Sequence, residues 1–151
     1  RDAIVNKVAA IRYGHLHKNP DKDLQVIYEH HWDLRNKGDL AIITSGSGET
    51  TQTLNYATQA FISGMNIFGI TSFKGSDLGR FSNRVNGCLV LPGRKHQYSQ
   101  YNMPLKMREK YLPCFELNCY ITLDALLAQI AHNEGITEED MRASHRPKFL
   151  E

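Results

Sequence analysis

The chain has 151 residues, 41% of them hydrophobic and 23% charged, with a mean hydropathy of −0.44. That composition excludes a disordered chain, a collagen-like fibre and a coiled coil, and the length suits one domain able to bury roughly 70% of its unfolded surface. With 18 basic and 16 acidic side chains the formal charge is only +2, which gives no electrostatic case for a nucleic-acid groove.

The three cysteines, Cys88, Cys114 and Cys119, are odd in number and lack zinc-finger spacing. They argue against a disulfide scaffold and structural zinc, and fit reduced thiols in a cytoplasmic protein. No apolar run approaches the roughly 20 residues of a membrane span, and the pattern leads one to expect no signal peptide.

The chain begins at Arg1 inside a helical pattern. Ile4, Val5, Val8, Ile11 and Leu16 recur at helical spacing, with Asp2 as a candidate N-cap. The polar stretch 17–23 holds the turn signal Asn19-Pro20. Leu24 to Tyr28 is short, β-branched and mostly apolar, and predicts a strand.

Leu40 to Ile43 is a continuous apolar run ending in Thr44, as strands covered on both faces read. Ser45-Gly46-Ser47-Gly48-Glu49-Thr50-Thr51 follows, then a predicted helix to about Gly64 with Leu54, Ala57, Phe61 and Ile62 as its apolar stripe. Asn66 to Ile70 predicts the next buried strand, residues 75–84 a short helix, and Cys88 to Leu91 a further strand stopped by Pro92-Gly93. Residues 94–113 carry Arg94, Lys95, Lys106, Arg108 and Lys110 without periodicity, a solvated loop or a second anion site. Phe115 to Ala131 is the strongest helix, apolar on most faces and so expected to be buried on more than one side. Gly135 ends it, and Thr137 with Asp140 resembles a capping box opening a last short helix. Strands alternating with helices predict an α/β fold, a three-layer sandwich around a parallel sheet.

The stretch from Ile42 to Thr51 carries the chemistry. A buried strand feeding a Ser/Gly/Thr loop at a helix start gathers backbone amides, a positive helix end and the hydroxyls of Ser45, Ser47 and Thr50, all suited to phosphate. The loop lies beyond the carboxyl end of a strand, where open α/β sheets bind ligands. A Walker loop is excluded because no lysine lies in residues 38–73, and a dinucleotide fingerprint because Thr51 stands where its third glycine is needed. The plainer alternative is a Ser/Gly turn with Thr51 capping the helix.

This loop resembles the phosphosugar-binding loop of SIS (sugar isomerase) domains. The resemblance extends to Lys37 through Thr44 before it, to Gly64 through Thr71 and the Ser76-Asp-Leu-Gly-Arg turn after it, and to Ile11 through Leu16. Phe115-Glu116, Leu123-Asp124-Ala125 and the tail from Ile136 to His145 resemble the 6-phospho-3-hexuloisomerase branch. The resemblance implies a doubly wound, flavodoxin-like topology. It aligns Arg1 with the arginine of the family's Gly-x-Gly-Arg-Ser turn, so the family's first, central strand would lie upstream, leaving neighbours with unpaired backbone groups. Asp2 would stand where a serine usually serves the sugar site.

The resemblance implies an aldose–ketose isomerase working through an enediol on a phosphorylated sugar, with no metal or organic cofactor. Ser45, Ser47 and Thr50, with the amides of Gly46, Gly48 and Glu49, would anchor the phosphate, and Ser76 would lie beside them. Glu116 would be the base moving a proton between adjacent carbons, and His145 would open the ring or shuttle a proton, often at a neighbouring subunit's site. Read without the family, Glu116 is an ordinary first-turn acid and His145 a solvated tail residue. The tail also departs from the family's His-Ala-Asn-Leu-Glu ending, running two residues longer. His30-His31, His15 and His17 lack the companions a metal site needs. A homodimer or homotetramer is implied, with Leu123, Leu126, Leu127 and Ile130 as core or interface. The rival is a non-catalytic phosphosugar sensor, favoured by Asp2, the altered tail and the basic segment; a degenerate structural paralogue is the third option.

Overall fold

The computed structural model describes residues 8–9, 37–85, 87–93 and 114–144. The expected strand at 24–28, most of the expected first helix, the basic segment 94–113 and His145 lie outside the described residues; Val8 and Ala9 are helical. Leu40–Thr44 forms β1, Thr51–Ile62 α1, Asn66–Thr71 β2 and Asp77–Val85 α2. Cys88–Val90 forms β3, Cys114–Asn133 α3 and Glu138–Ser144 α4.

The three strands make one parallel sheet in the order β1-β2-β3. Leu40 lies opposite Asn66 and Thr44 opposite Ile70; Gly69 lies opposite Cys88 and Thr71 opposite Val90. Right-handed crossovers in that order must put both connecting helices on one face. They do: Ile43 and Ile67 pack with Ala57 and Ala60 of α1 and Leu78 of α2 in one apolar cluster. The alternate strand positions Ile42, Phe68, Ile70 and Leu89 turn the other way and pack with Phe115, Cys119 and Leu123 of α3, and with Ala9. A strand's period of two delivers both faces from one apolar run, and full burial of side chains such as Ile67, Ile70 and Leu78 contributes about 1.5–3 kcal/mol each. The α/β sandwich expected from the sequence is the observed fold.

Helix α3 departs from expectation. It buries one stripe, Phe115, Cys119, Leu123, Leu127 and Ala131, spaced every four residues, and leaves Leu117, Tyr120, Ile121 and Leu126 exposed. The helix is apolar on more faces than the sheet covers. Helix α4 starts as its capping residues dictate, with the Thr137 amide and hydroxyl both donating to Asp140 Oδ2 at 2.7 Å and the Asp140 amide donating to Thr137 Oγ1 at 3.2 Å. No described helix is long and apolar enough to cross a membrane.

Candidate functional site

The loop between β1 and α1 begins as an extension of the sheet. The Ser45 amide donates to the Ile70 carbonyl at 2.9 Å and the Ser72 amide to the Gly46 carbonyl at 3.2 Å, so the chain is held with strand geometry past the strand's end. Ser45, only 1% exposed, is the hub. Its hydroxyl accepts the Gly48 amide at 3.1 Å and lies 3.2 Å from Thr50 Oγ1 and 3.5 Å from Ser47 Oγ. Gly48 has φ +68°, a conformation glycine adopts without penalty. It also sits where a Cβ would overlap Ser76 Oγ and press on Thr71 Oγ1.

Thr50 is the N-cap residue of α1, yet its side chain makes no capping hydrogen bond; its hydroxyl turns toward Ser45 instead. The plainer reading had Thr51 as the cap; Thr51 is instead the first helical residue, one position inside the N-cap. The first-turn amides of Thr51, Gln52 and Thr53 have no acceptor within their own helix, and that turn holds no acid.

Helix α2 starts against the same loop and is treated in the opposite way. Ser76 Oγ accepts the Gly79 amide at 3.1 Å, Glu49 Oε1 accepts the Asp77 amide at 2.9 Å, and Asp77 lies in the first turn. Arg80 hydrogen-bonds the Asp77 carboxylate. That bond chiefly holds the Asp77 carboxyl below the usual carboxylate range. Of two positive helix ends at one loop, the chain supplies carboxylates to α2 and none to α1. Three clustered hydroxyls and an acid-free helix start suit an anion with several acceptor oxygens.

The structure brings Ser45, Ser47 and Thr50 together. The amides of Gly48 and Glu49, expected to point at a phosphate, donate inside the loop, to Ser45 Oγ and to Ser47 Oγ at 3.2 Å respectively. Gly46 lends its carbonyl to Ser72. Ser76 is wholly buried beneath Gly48, and its hydroxyl donates to the Phe73 carbonyl at 2.7 Å. Glu116 lies half-buried in the first turn of α3, on the sheet face opposite α1 and α2. Its neighbour Phe115 packs in one cluster with Ile70, the residue opposite Thr44. The start of α3 thus reaches the strand ends that carry the loop. Sequence reading missed the side-chain role of Glu49, because its partner lies 28 positions away. It also missed Thr44 and Ser72, whose side-chain oxygens are buried here; the period of two along each strand was the available signal. Among the described residues, no three His, Cys, Asp or Glu side chains gather as a metal ion would require.

No family model matches the chain. An uncharacterized protein of Aeropyrum pernix is 31% identical across 96% of this chain and 68% of its own length. An uncharacterized protein of Archaeoglobus fulgidus is 32% identical over 107 residues, 71% of this chain. The chain spans only 56% of the Archaeoglobus protein's length. Among solved structures, an E. coli protein in complex with a phosphosugar superposes with TM-score 0.73 and 16% identity, over 96% of this chain and 72% of that one. A Methanococcus jannaschii protein whose crystal structure was read as that of a 3-hexulose-6-phosphate isomerase gives TM-score 0.66 and 22% identity, over 99% and 75%. The Vibrio vulnificus NanR protein complexed with ManNAc-6P gives 0.67 and 16%, over 95% and 50%. At these identities the solved structures speak for the fold. The chain belongs to one family with the Aeropyrum pernix protein, and its fold is that of the SIS domains, the fold of sugar-phosphate isomerases and sugar-phosphate-binding proteins.

Proposed function

We propose that this chain binds a phosphorylated sugar at residues 45–50 and acts as an aldose–ketose isomerase of the 6-phospho-3-hexuloisomerase type. The observation that carries the reading is Thr50, an N-cap residue whose hydroxyl joins those of Ser45 and Ser47 and leaves the start of α1 uncapped and acid-free. A phosphate dianion supplies the charge that helix end lacks. The sugar phosphates bound by the E. coli protein and by NanR, two structures of this fold, support the class of ligand.

In this reading Glu116 removes the proton from the carbon beside the carbonyl, giving an enediol, and returns it to the adjacent carbon, while His145 moves protons between the oxygens. The phosphate anchor fixes one end of the substrate, so the carboxylate meets the same carbon each time. Leu117, Tyr120 and Ile121, exposed together on α3, are the proposed contact in a homodimer or homotetramer.

The second reading is a phosphosugar sensor without turnover. It is favoured by a cradle built entirely without Glu116. Glu116→Gln separates the two. The isomerase loses at least about a hundredfold in turnover and keeps its affinity for hexulose 6-phosphates; an intact full-length protein with no turnover defeats the isomerase and leaves the sensor. Ser47→Ala weakens phosphate ligands under both, and unchanged binding counts against both.

A further inference from the structure

Thr44, the last residue of β1, and Ser72, the residue after β2, carry hydroxyls with no hydrogen-bond partner among the described residues. Thr44 Oγ1 and Ser72 Oγ are both enclosed and unbonded, and Thr44 as a residue is only 5% exposed. A hydroxyl that has given up water without gaining a partner is a net loss to folding, so such a group points to something it meets in function.

Register puts both on one face. Thr44 pairs with Ile70, and Ile70 packs with Phe115 on the α3 side. Ser72 follows Ile70 by two positions and lies beside Leu91, whose amide bonds Thr71 and whose side chain joins the same cluster. The pair therefore lies just below the loop, on the side where α3 opens with Phe115 and Glu116. The other side is closed, because Gly48, Ser76 and Thr71 are packed against one another without room for a methyl group. A carbon chain hung from a phosphate in the loop has the α3 side left to it. Ser82 Oγ is a third hydroxyl without a partner, but it lies against Gly69 in mid-strand on the opposite face and belongs to packing.

We infer that Thr44 and Ser72 are specificity-determining residues of this site, their hydroxyls hydrogen-bonding the polyol carbons of a sugar phosphate beyond its phosphate group. The inference rests on the phosphosugar reading and goes beyond it by naming which chain residues read the sugar.

Thr44→Val and Ser72→Ala remove the hydroxyls at nearly constant shape. Calorimetric titration of the full chain and both variants uses inorganic phosphate, ribulose 5-phosphate, fructose 6-phosphate and sedoheptulose 7-phosphate. Each variant is expected to bind inorganic phosphate within about twofold of the unsubstituted chain, and the tightest sugar phosphate about three- to tenfold more weakly, as loss of one hydrogen bond predicts. The Tm of each unliganded variant is expected to stay level or rise, since no bond is lost. Sugar phosphate and phosphate affinities that move in parallel, or not at all, overturn the inference and leave the cradle standing. The same holds if no sugar phosphate binds more tightly than inorganic phosphate. If the unsubstituted chain binds none of the four, the cradle fails and the inference with it.

Discussion

A methyl group on Gly48 would overlap the hydroxyl of Ser76, so the loop after β1 and the start of α2 meet through a residue with no side chain. Gly48 also donates to Ser45 and lends its carbonyl to the Leu78 amide at 3.0 Å. One glycine thereby joins the hydroxyl cluster to the neighbouring crossover. Gly48→Ala must push Ser76 from its cap and hold alanine at φ +68°. Overpacking costs about 1–3 kcal/mol and the left-handed conformation about 1–2 kcal/mol more. We expect a fall in Tm together with loss of phosphate affinity; an unshifted melting curve would show that the loop has room it is not credited with.

Glu49 sits in the loop but serves α2, accepting the Asp77 amide at 2.9 Å. Removing that acceptor in Glu49→Ala should cost about 1 kcal/mol, the usual value of a cap. Glu49→Gln keeps an oxygen there and should cost less than half as much. Equal losses in urea denaturation would place the effect in charge and not in the hydrogen bond.

Gly69 and Ser82 form a second close pair, between β2 and α2. A Cβ at Gly69 would overlap the Ser82 hydroxyl, which has no hydrogen-bond partner among the described residues. Gly69→Ala should destabilise by about 1–3 kcal/mol. Ser82→Ala should leave stability unchanged or raise it by up to about 1 kcal/mol, since it deletes an unpartnered hydroxyl. A clear loss on Ser82→Ala would mean that this hydroxyl has a partner after all.

Among the described residues, Cys88 and Asp77 shift in opposite directions. Burial pushes the Cys88 thiol above its ordinary value, with the Lys74 charge opposing. A raised folded-state pKa means the stabilisation is present below about pH 8.5 and is lost as pH rises through the folded value. Cys88→Ala should therefore flatten the alkaline limb of stability against pH. Asp77 is lowered, chiefly by its hydrogen bond from Arg80. Its contribution is present above about pH 4 and disappears as acid protonates it. Asp77→Asn should flatten the acid limb and leave the alkaline limb alone.

The strands were legible because Leu-Ala-Ile-Ile and Ile-Phe-Gly-Ile are continuous apolar runs, as strands covered on both faces read. The clustering of Ser45, Ser47 and Thr50 was legible because the three hydroxyls follow a buried strand directly and stand at a helix start. Other features depend on facts that composition does not carry. Ser76 reads as a ligand for phosphate in sequence, yet it lies beneath Gly48 and caps α2, because contact with the loop arises only when two crossovers meet. Apolar residues surround α3 on most sides, but the sheet offers it a single surface. The role of Glu49 had no local signal at all.

Because the Ser45 amide is bonded to Ile70 of β2 and the Ser72 amide to Gly46 of the loop itself, the loop inherits the stiffness of the sheet. The hydrogens of these two amides should exchange with solvent as slowly as those of Ile43 or Ile70, although both serines lie outside regular structure. A receptor so rigid spends little entropy on arrival of its guest, and it pulls on the centre of the fold whenever the guest is strained.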